Sequence, residues 1–169
     1  NTTYFKLGNN VMNQGCTLST LFINGRKNLF HFTNIGDSVG IWIKKDGTFE
    51  ILSVLHTRKN KEEISRVKKA GGLIVGDRWF EYKIANHGYN SQLSRSIGHF
   101  GNSAITQTPH KITNSFETGD KFIIATDGLW DYVNYKESVE IILSAKNARE
   151  ASEVLVNLSN DRASQKKRK

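Results

Sequence analysis

KFIIATDGLWDYV, residues 121–133, decides how the rest of the chain is read. Phe122 to Thr126 is an apolar, β-branched run that predicts a buried strand, and Asp127-Gly128 ends it abruptly, with Asp131 one turn further on. An aspartate at the rim of a core strand cannot be buried unpaired at low cost, so it needs a hydrogen-bond donor, a cation or water. Leu129, Trp130 and Tyr132 place bulky anchors around the two carboxylates and stiffen the turn enough to coordinate a metal. The same residues also read as an Asp-Gly turn into a helix capped by Asp131. This stretch alone leaves both readings open.

A second strand end far upstream changes the balance. Asp37 stands in Thr33-Asn34-Ile35-Gly36-Asp37-Ser38, again beside a glycine where an apolar run stops. If the two strand ends meet at one edge of the core, Asp37, Asp127 and Asp131 make an all-oxygen site without His or Cys. Hard cations such as magnesium or manganese prefer that donor set to the one zinc selects. An ion there can activate water and neutralise phosphate oxygens. Asp37 also has a plainer reading, as the residue that stabilises its own turn. The chain contains no P-loop, dinucleotide-binding glycine pattern, Gly-x-Ser-x-Gly elbow or paired-histidine zinc motif.

Between these landmarks the pattern alternates strands and turns, then changes to helical spacing. Thr17–Ile23, Asn28–Thr33, Val39–Lys44 and Thr48–Leu52 read as an antiparallel meander with turns at Asn24–Arg26, Gly36-Asp37 and Asp46-Gly47. Asn60–Ala70 reads as a helix with Ile64 and Val67 on its apolar face and Gly71-Gly72 as its stop. Val75–Thr118 has weak periodicity, which means either a functional loop region or strands too short to see; Ile112–Phe116 is one candidate. Tyr135–Ser144 and Ala148–Leu158 each place apolar residues on one helical face and predict an antiparallel pair. The order implies an α+β domain with helices packed on antiparallel sheet.

Composition limits the function classes. The 169 residues suffice for one domain with a single core, and no apolar run reaches the roughly 18 residues a membrane span needs. A lone cysteine, Cys16, cannot form an internal disulfide; it reads as a small buried apolar side chain in a reducing compartment. The net charge of +8 raises nucleic-acid binding. Its basic residues, however, concentrate in the tail Lys166–Lys169 and in a helix face mixed with glutamates, without interleaved aromatics, so a solvated surface is expected. Arg95, between Ser94 and Ser96, either binds a substrate phosphate or pairs with a nearby carboxylate. His56, His87, His99 and His110 show no partner in sequence and read as surface or loop residues, while Trp42, Trp79 and Trp130 read as anchors.

Five stretches in order, GCTLSTLF (15–22), TNIGDSVGIW (33–42), KNKEEISRVKKAGGLI (59–74), LSRSIG (93–98) and FIIATDGLWDYV (122–133), resemble the metal-dependent serine/threonine protein phosphatase 2C family. The resemblance covers nearly the whole chain and corresponds to the later part of the family's domain. It implies two stacked antiparallel β-sheets flanked by helices, an α/β/β/α sandwich incomplete at the N-terminus, with metals at one edge. Asp127 matches an aspartate that holds a catalytic metal, and Asp37 and Asp131 match positions that hold an additional metal in some members. Magnesium or manganese, two or more ions in the complete domain, would then activate water against phosphoserine and phosphothreonine proteins.

The family's early Asp-Gly-His-Gly-Gly motif and its still earlier phosphate-binding arginine do not occur in this sequence. Val39 follows Ser38 where arginine is usual, His99 follows Gly98 where aspartate is common, and the chain stops at DRASQKKRK, near the place of a final Asp-Asn pair. The expectation is therefore one domain over 1–169, a fragment of the full enzyme, with 1–14 and 160–169 as loop or tail. Such a segment would have no catalytic residue of its own and no turnover alone. A monomer in the cytoplasm or nucleus is expected, without membrane or nucleic-acid partners. The alternative is a pseudophosphatase or interaction module with the same fold.

Overall fold

The expected turns fall between strands in the computed structural model, which describes residues 14–75, 79–84, 87–99 and 104–167. In order the elements are β1 (Gly15–Cys16), β2 (Leu18–Asn24), β3 (Leu29–Ile35), β4 (Val39–Ile43), β5 (Phe49–Ile51), α1 (Lys61–Lys69), β6 (Leu73–Val75), β7 (Trp79–Ile84) and β8 (His87–Ser91). There follow β9 (Ile97–Gly98), β10 (His110–Ser115), β11 (Lys121–Ala125), α2 (Asp127–Trp130), α3 (Tyr135–Ser144) and α4 (Ala148–Lys167). Two three-stranded antiparallel sheets, β10-β3-β2 and β11-β4-β5, form the body, and β6-β7-β8 and the short β1-β9 pair stand beside them. Among the described residues, no helix is long and apolar enough to cross a membrane.

Alternation along β3 explains the stacking of the two sheets. Phe30 and Phe32 are fully buried while His31, between them, is exposed and bonds Thr113 on β10. The buried rings pack against Trp42 of β4 and Phe122 of β11, with Phe30 edge-on to both. Gly40 is required at this interface, because a Cβ there would lie 2.4 Å from the Phe32 ring. The opposite face of β4, with Val39, Ile41 and Ile43, is covered by Val139 and Ile142 of α3 and Ala151 and Leu155 of α4. Hence β4 is buried on both faces and reads as a continuous apolar run. Phe22 on β2 remains 61% exposed.

Several expectations are corrected. Of the two readings left open for the weak stretch after Val75, the structure supplies the short strands: WFEYKI and HGYNS pair with each other, and Asn, Gly and Ser interrupt the alternation that would reveal them. Helix α4 continues through the stretch expected as tail, because Arg162 bonds the Tyr132 carbonyl and both carboxylate oxygens of Glu137. Cys16 is exposed rather than buried, since β1 is a two-residue ladder at the margin of the fold. The Trp79 and His87 side chains and residues 1–13 lie outside the described residues.

Candidate metal centre

Strand register brings the two distant aspartates together. β4 and β11 run antiparallel with Val39 opposite Ala125. Two residues beyond each partner, where the ladder has ended, stand Asp37 and Asp127. Directly opposed positions of an antiparallel pair are close neighbours, so the ladder carries both carboxylates to one edge. Helix α2 begins at Asp127, after Thr126, and ends with Asp131 as its C-terminal cap. Asp131 therefore does not cap the start of the next helix; Asn134 does, accepting the Glu137 N–H. Trp130 Nε1 donates to the Ala125 carbonyl at 2.9 Å and fixes the turn.

Asp37, Asp127 and Asp131 line one cleft of about 420 Å³ together with Thr57, Arg58, Lys59, Gln92 and Tyr135. Burial, the Asp127 charge and the Asp131 charge raise the Asp37 pKa, against a lowering hydrogen bond from the backbone. A cation would reverse the like-charge part of that effect. Among the described residues no three His, Cys, Asp or Glu side chains stand close enough to grip one ion together. By donor chemistry alone, carboxylate oxygens suit a hard cation that retains waters of its own. Asp37→Asn is expected to raise thermal stability by about 0.5–1 kcal/mol at pH 7, as relief of a charge cluster kept for function commonly does. An unchanged or lower melting temperature would mean that the three charges do not oppose one another.

The turn that presents Asp37 is held from beneath by residues the sequence did not mark. Gly36 has φ +104°, a left-handed conformation, and a Cβ there would meet Thr17 Cγ2 at 2.3 Å. His56, fully buried, grips it twice: the Gly36 N–H donates to His56 Nδ1 at 3.0 Å, and the His56 N–H donates to the Gly36 carbonyl at 3.0 Å. Nδ1 is thereby the acceptor and the ring proton resides on Nε2, which has no partner among the described residues. Burial and the nearby Arg95 charge push the His56 pKa down to about 4, against Glu63, which raises it. Asn34 exchanges hydrogen bonds with the backbone of Val54 on the same strand connection. His56 is therefore no surface histidine. Nor is His99, which is buried with φ +51° and hydrogen-bonded through Nδ1 to Ser96 Oγ at 2.6 Å.

Arg95 belongs to a second cluster. Its Nε and Nη2 donate to Glu63 Oε1 at 3.1 and 2.5 Å, and Nη1 donates to the Thr108 carbonyl. Arg66 and the Ser94 hydroxyl donate to Glu63 Oε2. Of the two roles the sequence left for Arg95, this geometry supplies the pairing with a carboxylate, and Arg95 does not line the aspartate cleft. Glu63 is 2% exposed; burial would raise its pKa, but hydrogen bonds from Arg95, Ser94 and Arg66 bring it down to about 2.

Residues 2–168 match the family described as Protein phosphatase 2C. The chain belongs to that family. It is 33% identical over 127 residues to Protein phosphatase 2C homolog 1 of Saccharomyces cerevisiae, covering 73% of this chain and 41% of that protein. The chain thus spans less than half the length of this curated relative. Among solved structures, a serine-threonine phosphatase 2C from Toxoplasma gondii superposes with a TM-score of 0.66 at 20% identity, covering 80% of this chain and 51% of that one. The catalytic domain of the serine threonine protein phosphatase PstP, in complex with two manganese ions, gives a TM-score of 0.60 at 18% identity over 93% of this chain and 57% of that one. These neighbours show the stacked-sheet fold of the phosphatase 2C chain.

Proposed function

We propose that this chain carries the carboxylate edge of a magnesium- or manganese-dependent protein serine/threonine phosphatase, acting on phosphoserine and phosphothreonine proteins. The observation that carries the reading is the placement of Asp37 and Asp127 at the end of the β4–β11 ladder, facing one cleft with Asp131. A divalent ion, when bound, draws phosphoryl oxygens and acidifies water. The protein's part is positional: His56 and Gly36 fix Asp37, and Trp130 fixes the turn from which Asp127 and Asp131 project. Val39, Leu55 and Trp130 give the cleft an apolar wall that strengthens charge interactions within it.

Titration of the chain with Mn²⁺, followed by NMR, tests this. Broadening should appear together at Gly36–Ser38 and Gly128–Asp131, with an affinity no better than about 1 mM, toward the weak end of oxygen-ligand sites. Asp127→Asn should weaken both effects by about tenfold, as expected for loss of one of few charged ligands. Broadening at one segment only, or spread evenly over surface carboxylates, would leave the aspartates as turn formers and the fold as an interaction module.

A further inference from the structure

We propose that Arg58 and Lys59 form the phosphate-binding wall of the aspartate cleft; this rests on the reading that the cleft handles phosphoryl groups. They are the cationic side chains among the described residues that line it. Their sequence context, a run of basic residues mixed with glutamates, reads as a solvated helix face. The structure instead sets them in the turn before α1, lining the same cleft as the carboxylates, with Arg58 half-buried and Lys59 exposed.

Charge balance gives them a role. Three carboxylates with one divalent ion leave a formal charge of −1, which repels a phosphate dianion; Arg58 and Lys59 bring the cleft to +1. An arginine can also hold two phosphate oxygens at once in a fixed plane, which leaves the oxygen nearest the ion oriented.

The turn that carries them is rigid. Thr57 forms a β-bridge with Leu93, the Lys59 N–H donates to Thr57 Oγ1 at 3.4 Å, and the Asn60 N–H donates to the Thr57 carbonyl at 3.0 Å. Asn60 then caps α1, its Oδ1 accepting from the N–H groups of Glu62 and Glu63, while its Nδ2 donates to the Leu55 carbonyl. Preceding them, His56 is fixed to Gly36, so one segment ties the proposed cationic wall to the turn that presents Asp37. Positioning of this kind lets a static cleft discriminate a phosphomonoester from a neutral ester.

Inorganic phosphate, titrated into the Mg²⁺-saturated chain and followed by NMR, tests the assignment, with Mn²⁺ broadening measured in parallel. Arg58→Ala should raise the phosphate dissociation constant about tenfold and Arg58→Lys should recover part of it, as for loss of a charge-assisted hydrogen-bond pair. Lys59→Ala should raise it about threefold, and Lys111→Ala, on the outer face of β10, should leave it unchanged. Mn²⁺ broadening at Gly36–Ser38 and Gly128–Asp131 should persist in all four.

Wild-type phosphate affinity in Arg58→Ala and Lys59→Ala, with Mn²⁺ broadening intact, would overturn the inference and leave the phosphatase reading standing. Absence of Mn²⁺ broadening in the folded wild type would overturn both. If Arg58→Ala fails to fold, Lys59→Ala decides: an unchanged constant overturns the assignment and a threefold loss supports it.

Discussion

Glu63→Ala is expected to lower folding stability by about 3–5 kcal/mol, because removing one partner of a buried charge cluster leaves the others uncompensated. Three donors converge on this carboxylate, from Arg66, Ser94 and Arg95, and it is 2% exposed. Arg66 also bonds the carbonyls of Ser94 and Ala104, and Arg95 that of Thr108. Loss of Glu63 would therefore loosen the packing of α1 against the segments at 94–96 and 104–108 together. The arginines keep 28% and 19% of their side-chain surface, so water offsets part of the loss and the lower half of the range applies. In a chain of this size that is roughly 6–16 °C in melting temperature. Urea denaturation at pH 7 reads the change. Glu63→Ala and Arg95→Ala combined should lose at least about 1 kcal/mol less than the sum of the two single changes. Strict additivity would show that the two side chains act separately.

The second large effect is acid lability that begins while carboxylates are still ionised. The His56 ring is held neutral, with a folded pKa of about 4 against an ordinary 6.5. Its contribution is fully present above pH 6.5 and is lost as pH falls toward 4, because the unfolded chain takes up the proton first. The whole contribution is about 3 kcal/mol, lost at up to about 1.4 kcal/mol per pH unit. Glu63 follows below it: with a pKa lowered from 4.5 to about 2, its contribution is complete above pH 4.5 and drains as pH falls through 2. His110, also lowered by burial and by Arg95, adds to the first window. Urea midpoints measured from pH 8 to pH 4 should therefore fall from about pH 6.5 downward. In His56→Asn, which keeps an acceptor for the Gly36 N–H, most of that slope should vanish. A flat profile down to pH 4.5 would contradict the buried, neutral ring.

What the sequence made legible follows from how local its causes are. Strands β3, β4 and β11 and helix α3 announce themselves through nearest-neighbour pattern, and the same pattern exposes Asp37 and Asp127 as acids where apolar runs stop. Glu63 looked solvated because helical spacing puts it among Lys61, Glu62 and Arg66; its burial depends on Arg95, thirty-two residues away. His56 was invisible for a related reason, since its ligand is a backbone N–H on another strand connection. The end of α4 was missed because apolar periodicity stops at Leu158 while the helix is held by the Arg162–Glu137 pair. Side-chain burial set by distant polar partners leaves no periodic trace.

The β4–β11 ladder works as a caliper. Asp37 and Asp127 stand ninety positions apart, yet the pairing of Val39 with Ala125 sets them at one edge whatever the length of the turns between. Insertions or deletions at the Asp46-Gly47 turn, where Asp46 is exposed, can lengthen or shorten that interval without moving either acid. One residue added or removed within β4 or β11 would turn the strand's inward side chains outward and carry its aspartate to the other face. Length variation should therefore collect at surface turns such as Asp46-Gly47 and be excluded from the two five-residue strands, as well as from the segments that carry His56 and the Glu63–Arg95 cluster.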